Sequence, residues 1–314
     1  MNEQVNRVSY IDFFKSIGIL LMIMGHIGFG NTFDIYIHAF HMPMFFFISG
    51  YLFHNYDFKK FITKKFKTLI LPYFEYGFVN LLACLLLLQN FKIGKYFEKF
   101  LFFNNKGLPI SGALWFLTSL FFCLIIFYYL TNFINKKYRF LSIVGIVLSE
   151  YLLKLKLPYS IDSSIYMLPI MYIGFIFKNF ELNITKNKCF LISILLFLCS
   201  FPLVIYNGYV NIRLNTYSNI LLFYLNAIII SYSIFLFAKS FEACKSQVLS
   251  FIGKNSLLFL CLNQIIIFVV KKYFNNNISI LLLTLSILSI FSICINNLNL
   301  QNVQTVVAVE RERE

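Results

Sequence analysis

The sequence predicts an all-α integral membrane protein with about ten transmembrane helices around a central cavity. Of its 314 residues, 59% are hydrophobic and only 13% are charged, and the mean hydropathy is +0.76. A soluble domain of this length carries about 25% charged residues, so the composition excludes that class. The apolar runs are also too long and too continuous for the alternating strands of a transmembrane barrel.

Apolar residues fall into ten segments along the chain. The second, fifth and sixth of them are too short to cross a ~30 Å hydrocarbon core upright. Pro43 and Pro169 interrupt the second and the sixth, and we expect broken helices around a cavity there. The first is longer than a signal-peptide core and carries charges, so it is predicted to be a membrane span. The segments are 10–28, 39–53, 69–89, 112–132, 140–153, 163–177, 189–206, 217–238, 250–270 and 278–297.

Residues 1–297 are predicted to form a single polytopic membrane domain, and residues 298–314 a polar cytoplasmic tail. If both termini are inside, the inner segments carry roughly twice as many Lys and Arg residues as the outer loops, as the positive-inside rule requires. We therefore expect a multi-pass protein of the cell membrane with both termini cytoplasmic. The net charge of +14 fits lysines in short loops facing anionic lipids, not a nucleic-acid partner.

Three ionisable side chains share one stripe of the first predicted helix. At about 100° per residue, Lys15 lies roughly 60° and His26 roughly 40° from Asp12 around the axis, on the same side. Ionisable groups are costly in lipid and normally face a bundle interior or a wet cavity. His26 lies near the outer end, where its imidazole can accept a proton from a hydroxyl group. The alternative is an interfacial histidine satisfied by water.

Asp12 and Lys15 are spaced to form an ion pair across one helical turn. The pair is either structural or part of a positive site for an anionic cofactor. Asp12 lies about 21 Å along the axis from His26, so it cannot orient that imidazole directly. A carboxylate partner for His26 must therefore come from another part of the chain. The candidates are Asp34, Glu150 and Asp162.

Two more features of the sequence are candidates for substrate binding. His41 stands two residues before Pro43, as either a buried hydrogen-bonded histidine or a substrate-positioning one. His38 and His41 lack a third ligand at a sensible spacing, so no metal site is predicted. Trp115, the only Trp, is either an interfacial anchor or a platform for stacking a sugar ring.

Five lysines lie close together between the second and third apolar segments. They either anchor the protein to anionic lipid or bind the phosphates of a nucleotide cofactor, and both roles can hold at once. These residues are Lys59, Lys60, Lys64, Lys65 and Lys67.

An ordered set of motifs covers residues 10 to about 260. They are Tyr10-Ile11-Asp12-x-x-Lys15 leading into Gly25-His26; Phe40-His41-Met42-Pro43-x-Phe45-Phe46-x-x-Ser49-Gly50-Tyr51; a basic stretch running into Leu69-Ile70-Leu71-Pro72-Tyr73; Leu114-Trp115-Phe116-Leu117; Leu157-Pro158-Tyr159-Ser160-Ile161-Asp162; and Ile252-Gly253-Lys254-Asn255-Ser256-Leu257. This set resembles the membrane acyltransferase-3 family, and most closely its fucose 4-O-acetylase-like branch.

The resemblance implies an acyltransferase with acetyl-CoA or another acyl-CoA as donor substrate and no permanently bound cofactor. The acceptor is expected to be a hydroxyl of an envelope glycan or a lipid-linked sugar. The motif assigns the catalytic role to His26, and donor binding to Lys64, Lys65 and Lys67, where the family commonly has arginine. Many relatives carry a histidine where this chain has Asn263. Supporting or substrate-positioning roles are expected for Asp12, Lys15, His41, Ser49, Trp115 and Asn263.

Two other function classes remain open from the sequence. Some members of this broad family have been assigned to export of polysaccharides, so an exporter or flippase of a lipid-linked glycan is the alternative. A structural membrane subunit is the third reading, for which replacing His26 would affect only stability.

Overall fold

The computed structural model describes residues 9–178, 184–241 and 246–311, with side chains up to residue 297. Within these ranges the chain forms fourteen α-helices, and one isolated β-bridge pairs Asn211 with Thr216. The helices are α1 (Ser9–Ile27), α2 (Asn31–His38), α3 (Pro43–Tyr51), α4 (Phe58–Lys65), α5 (Leu71–Leu87), α6 (Ile93–Leu101), α7 (Trp115–Phe133), α8 (Lys136–Leu153), α9 (Ile161–Phe177), α10 (Lys186–Asn207), α11 (Ile220–Ser240), α12 (Gln247–Lys254), α13 (Ser256–Val270) and α14 (Asn277–Arg311).

The all-helical, multi-pass prediction is confirmed. In the described part of the chain, seven helices are long and apolar enough to cross a membrane. An eighth crossing results if α12 and α13, which meet at 85°, count as one broken span. The ten predicted segments exceed this number because 39–53 forms only a turn and the short helix α3, and 140–153 belongs to α8, which carries charges at its start. The predicted tail begins within α14, which stays helical to Arg311; residues 312–314 lie outside the described range.

Of the two predicted proline breaks, only one occurs. α2 ends at His38 and α3 starts with Pro43, whose missing N–H is harmless in a first helical turn. The expected break at Pro169 was wrong, because α9 continues through it from Ile161 to Phe177. A proline is tolerated inside a membrane helix when neighbouring groups satisfy the freed backbone. The break that the segment pattern did not predict is the bend at Asn255, between α12 and α13.

Helix α3 lies in the interior, since all its residues except Ser49 are buried. A helix that is apolar on every face belongs inside a bundle. It packs directly on α9, and two glycines permit the close approach. A Cβ on Gly50 would overlap the carbonyl of Met171, and one on Gly174 would overlap the carbonyl of Phe47. Gly253 in α12 meets the carbonyl of Asp12 in α1 in the same way.

Candidate active site

A cavity of about 220 Å³ lies at the carboxy-terminal end of α1. Its walls come from α1, the α2–α3 connection, the start of α7, α13 and the segment between α10 and α11. We call it the histidine cavity. Its lining residues are Met22, His26, His38, His41, Met42, Gly112, Ala113, Trp115, Tyr209, Val210, Asn211, Ile212, Arg213 and Gln264. It therefore brings together three sequence-predicted residues, His26, His41 and Trp115.

The hydrogen-bond partner of His26 is Asn263. The Nδ1 atom of His26 lies 2.7 Å from Oδ1 of Asn263 in α13. The amide nitrogen of Asn263 donates to the carbonyls of Phe259 and Leu260, at 2.9 and 2.7 Å, which assigns the amide orientation. Oδ1 can then only accept, so Nδ1 of His26 carries the hydrogen and Nε2 keeps its lone pair. A neutral imidazole held in this tautomer can take a proton at Nε2.

The expected carboxylate partner of His26 is replaced by this amide. For Asp34 it is the main-chain carbonyl that accepts from Nδ1 of His38, at 2.7 Å, and the Asp162 carboxylate accepts from Asn105 at 3.3 Å. Glu150 lies in the wall of another cavity, together with Asp162. None of the three carboxylates lines the histidine cavity. An amide orients the ring as a carboxylate would, but it adds no negative charge beside it.

The other two histidines are also fixed by hydrogen bonds. Nδ1 of His41 lies 2.8 Å from the carbonyl of Ile37, one helical turn earlier. A carbonyl only accepts, so Nδ1 is protonated in both His38 and His41. Their rings pack edge to face with centroids 5.0 Å apart, and the His38 ring contacts Tyr209. His41 is buried and lines the cavity, which is compatible with both roles that the sequence left open.

The end of α1 that carries His26 is held from outside the helix. Nζ of Lys271 donates to the carbonyls of Ile27 and His26, at 2.9 and 3.4 Å. Asn277 donates to the carbonyl of Gly28 at 2.9 Å. A cation at a helix carboxy terminus satisfies free carbonyls and interacts favourably with the helix dipole. These contacts fix the backbone from which the imidazole of His26 projects.

Trp115 is buried, with 6% of its surface exposed, at the start of α7. The turn before it is tied to α13, since Oε1 of Gln264 accepts from the N–H of Ala113 at 3.0 Å and Ser111 donates to the carbonyl of Cys261. An interfacial anchor would have most of its ring at the surface. Trp115 lines the histidine cavity, and its role as a platform for a sugar ring stays a prediction.

Arg213 is a cavity residue that the sequence reasoning did not select. It follows α10 in a short turn, and its guanidinium packs over Gly107 and Gly112, where an added Cβ would come within 2.8 Å of Nη1. Burial lowers the pKa of Arg213, but a guanidinium titrates so far above neutral pH that it stays charged. Among the described lining residues there is no carboxylate, so the cavity is positively charged. The signal in the sequence was an isolated Arg in a predicted outer loop that carries no other charge.

A second cavity, of about 230 Å³, lies towards the other end of α1. We call it the lysine cavity. It brings together three sequence-predicted cations, Lys15, Lys64 and Lys65, with Ser49. Nζ of Lys64 lies 5.4 Å from the ring centroid of Tyr56, in the range of cation–π attraction. The full lining is Lys15, Ile48, Ser49, Leu52, Phe53, His54, Tyr56, Phe61, Lys64, Lys65 and Leu124.

Lys67 and Asp12 lie outside this lining, as do Lys59 and Lys60. Lys67 is exposed in a π-helical turn, Phe66–Ile70, that joins α4 to α5. Such turns are frequent at functional sites, and this one changes the register of the lysines. Asp12 is buried beside α12, where its carbonyl meets Gly253. The ion pair between Asp12 and Lys15 remains a prediction.

Three helices connect the two cavities. α1 contributes His26 to one and Lys15 to the other, and α7 contributes Trp115 and Leu124. Helix α3 reaches the lysine cavity through Ile48 and Ser49, and Met42 just before it lines the histidine cavity. At 1.5 Å per residue, Lys15 and His26 are about 16 Å apart along the axis of α1. At one end of α1 the lysine cavity offers positive charge to a negatively charged group, and at the other end the histidine cavity offers Nε2 of His26 as a proton acceptor.

Comparison with known protein families identifies the chain. The model of the acyltransferase-3 family, described as an acyltransferase domain, matches residues 8–296. A comparison with the curated proteins finds no match. The family match includes both cavities and every described span. The chain therefore belongs to the acyltransferase-3 family and is a membrane acyltransferase.

Proposed function

We propose that this protein is an O-acetyltransferase that moves an acetyl group from cytoplasmic acetyl-CoA to a hydroxyl of a cell-envelope glycan or its lipid-linked precursor. The observation that carries the proposal is the fixed tautomer of His26, whose Nδ1 is bonded to Asn263 while Nε2 remains a base. That base lines a cavity with an aromatic ring and a guanidinium, Trp115 and Arg213. The same helix carries Lys15 into the lysine cavity.

The donor fits the lysine cavity by charge. CoA carries phosphates, and Lys15, Lys64 and Lys65 supply cations around one recess. Lysine ammonium groups bind phosphate as point charges and do not form the bidentate contacts of arginine. With its phosphates there, the long arm of CoA would lie between α1, α3 and α7 and bring the thioester towards His26. This orientation requires the lysine cavity to face the cytoplasm, as the excess of positive charge on that side favours.

The reaction follows from the position of Nε2. The acceptor oxygen forms a bond to the acetyl carbonyl carbon while its proton passes to Nε2 of His26. The thioester C–S bond then breaks, the CoA sulfur leaves as a thiolate, and the imidazolium gives its proton to that thiolate through water, which forms the CoA thiol and restores the neutral imidazole. Arg213 is placed to attract negative charge that develops on the carbonyl oxygen. Trp115 supplies a flat apolar surface for the acceptor ring.

The test is acetyl transfer by the purified chain in nanodiscs. Acetyl-CoA labelled in the acetyl group is mixed with the surface glycan of a strain that lacks this gene, and label in the glycan is measured. We expect label to appear in the glycan as base-labile ester with release of one CoA per acetyl group. Transport of unmodified glycan into sealed vesicles without label transfer would instead support the exporter.

A further inference from the structure

A third cavity, of about 710 Å³, is larger than the two that the proposed reaction uses. It lies between the end of α8, the start of α9 and the segment that leads into α11. We call it the carboxylate cavity. Its lining is Glu150, Tyr151, Lys154, Leu155, Lys156, Asp162, Tyr166, Leu214, Asn215, Thr216, Tyr217, Ser218, Asn219, Ile220 and Leu221.

Glu150 is a buried acid in the wall of this cavity, and one of its carboxylate oxygens lacks a hydrogen-bond partner in the part of the chain that the structure describes. It is 3% exposed, and its Oε2 atom has no hydrogen-bond partner among the described residues. Tyr217 Oη and Asn215 Oδ1, in the same wall, are also unpartnered there. A buried polar atom without a partner is costly, so native structures satisfy nearly all of them. Three such atoms around one cavity indicate a ligand that supplies hydrogen bonds.

The charge of the lining selects the class of that ligand. Asp162, the second buried acid, accepts from Asn105 at 3.3 Å and from the N–H of Ser163. Lys154 and Lys156 line the same cavity, so its formal charges of two acids and two lysines balance. A cationic ligand would meet the lysines and an anionic one the carboxylates. A neutral molecule with many hydroxyls can donate to Glu150 and accept from Tyr217.

The carboxylate cavity and the histidine cavity share a wall. Tyr209 to Arg213 line the histidine cavity, and the chain continues directly from Leu214 into the carboxylate cavity. The turn at residues 105–107 is a second link between the cavities. Asn105 donates a hydrogen bond to Asp162, and Gly107 packs against the guanidinium of Arg213. The two cavities are therefore neighbours along one segment, and a chain of several sugar residues is a kind of ligand long enough to occupy both.

We infer that the carboxylate cavity binds further neutral sugar residues of the acceptor glycan, next to the one that is acetylated. Glu150 accepts a sugar hydroxyl, Tyr217 makes a second hydrogen bond, and Leu155 and Leu214 supply apolar surface for the ring. This inference rests on the proposed function, because it identifies the ligand as part of the acceptor. It predicts that the enzyme distinguishes oligosaccharides from single sugars by binding.

The test uses fragments of one to six sugar units, released from the surface glycan of a strain that lacks this gene and labelled with a fluorophore. Binding to the full chain in nanodiscs is measured by fluorescence anisotropy. We expect wild-type protein to bind fragments of several units at least ten-fold more tightly than the single sugar. Glu150→Gln and Tyr217→Phe should each weaken binding of the longer fragments by about ten-fold, the size expected for a lost hydrogen bond to a charged or buried group.

Ser149→Ala is the matched control, because Ser149 is exposed next to Glu150 and its hydroxyl donates, among the described residues, to the carbonyl of Gly145 alone. It should bind all fragments like wild type. Equal affinity for short and long fragments, or unchanged binding by a folded Tyr217→Phe variant, would overturn the inference. Length-dependent binding without acetyl transfer would leave this site standing and refute the proposed function. Acetyl transfer without length-dependent binding would support the proposed function and overturn the site for further sugar residues.

Discussion

The histidine cavity and the lysine cavity lie on the same three helices but are built differently. In the histidine cavity, the imidazoles of His26, His38 and His41 each have a hydrogen bond to a defined acceptor. In the lysine cavity, Lys64 is exposed and its described contact is with the face of Tyr56. The histidine cavity therefore holds each imidazole in a defined orientation, whereas the lysine cavity collects positive charge on long, flexible side chains.

This difference matches two chemical tasks. Proton transfer requires a base within hydrogen-bond distance of one particular hydroxyl, so its position must be set by neighbours. Phosphate binding by ammonium groups tolerates movement, because point-charge attraction has little directional preference. We therefore expect changes in the histidine cavity to act on the rate of transfer, and changes in the lysine cavity to act on binding of the donor.

The largest effect is expected for His26. General-base assistance contributes about 10²–10⁴-fold to a rate, so His26→Gln should lower acetyl transfer by at least about 100-fold. Glutamine can accept or donate a hydrogen bond but does not take up the proton. Transfer is measured with labelled acetyl-CoA, and thermal melting serves as the folding control. Near-normal transfer by stable His26→Gln protein would remove His26 from the mechanism and direct attention to His41.

The second-largest effect is expected in helix α3, which contributes to both the histidine cavity and the lysine cavity. Gly50→Ala places a methyl group against the carbonyl of Met171, so α3 must move away from α9. Overpacking of this kind typically costs about 1–3 kcal/mol of stability. Gly50→Ala should therefore lower the melting temperature, and it should weaken acetyl-CoA binding and slow acetyl transfer together. Gly145→Ala in α8 is the control, since nothing lies within 4 Å of its added Cβ. Equal melting temperatures for the two variants would show that the α3–α9 contact is looser than described.

Asn263 tests whether the orientation of His26 matters as well as its identity. Asn263→Leu removes the acceptor for Nδ1 and frees the tautomer, so transfer should fall by about ten-fold or more, the effect of one lost hydrogen bond. Donor binding should not change. Asn263→His, whose unprotonated nitrogen can accept the same hydrogen bond, should retain more activity than Asn263→Leu. Identical rates for the two variants in single-turnover assays would contradict the orienting role.

The smallest effect is expected in the lysine cavity. Exposed ion pairs are worth up to about 1 kcal/mol each, so replacing both Lys64 and Lys65 with Gln should weaken acetyl-CoA binding by about ten-fold. Wild-type binding should also weaken as salt rises, because salt screens exposed charges. Lys137→Gln is the control, since Lys137 is exposed at the start of α8 and does not line the cavity. Unchanged calorimetric affinity in a folded double variant would favour the lipid-anchor role for these lysines.

The sequence predicted the all-helical multi-pass fold because long apolar runs are local patterns, although it gave ten segments where the described residues form at most eight spans. Long apolar segments and the spacing of Asp12, Lys15 and His26 are visible in one dimension, and so is the break at Pro43. Pro169 shows the limit of that reasoning. Whether a proline breaks a helix depends on what surrounds it, and the tight packing of α9 on α3 is a property of the folded bundle.

The parts of the site that were not predicted depend on contacts between distant residues. Asn263 was selected by its motif, but its bond to His26 joins helices 237 residues apart in the chain. The roles of Arg213 and of the unpartnered Oε2 atom of Glu150 depend on how the segment after α10 packs against α9 and the turn at Gly107. No periodicity specifies where such a segment folds.

If the two cavities divide the reaction between donor binding and proton transfer, variants should separate the two functions. The direct test measures two quantities, acetyl-CoA affinity and transfer rate at saturating acetyl-CoA, for wild type, His26→Gln and the Lys64→Gln, Lys65→Gln double variant. We expect His26→Gln to keep wild-type affinity and lose at least about 100-fold in rate. The double variant should lose affinity and recover its rate at saturation. Parallel losses of both quantities in both variants would contradict the division of roles.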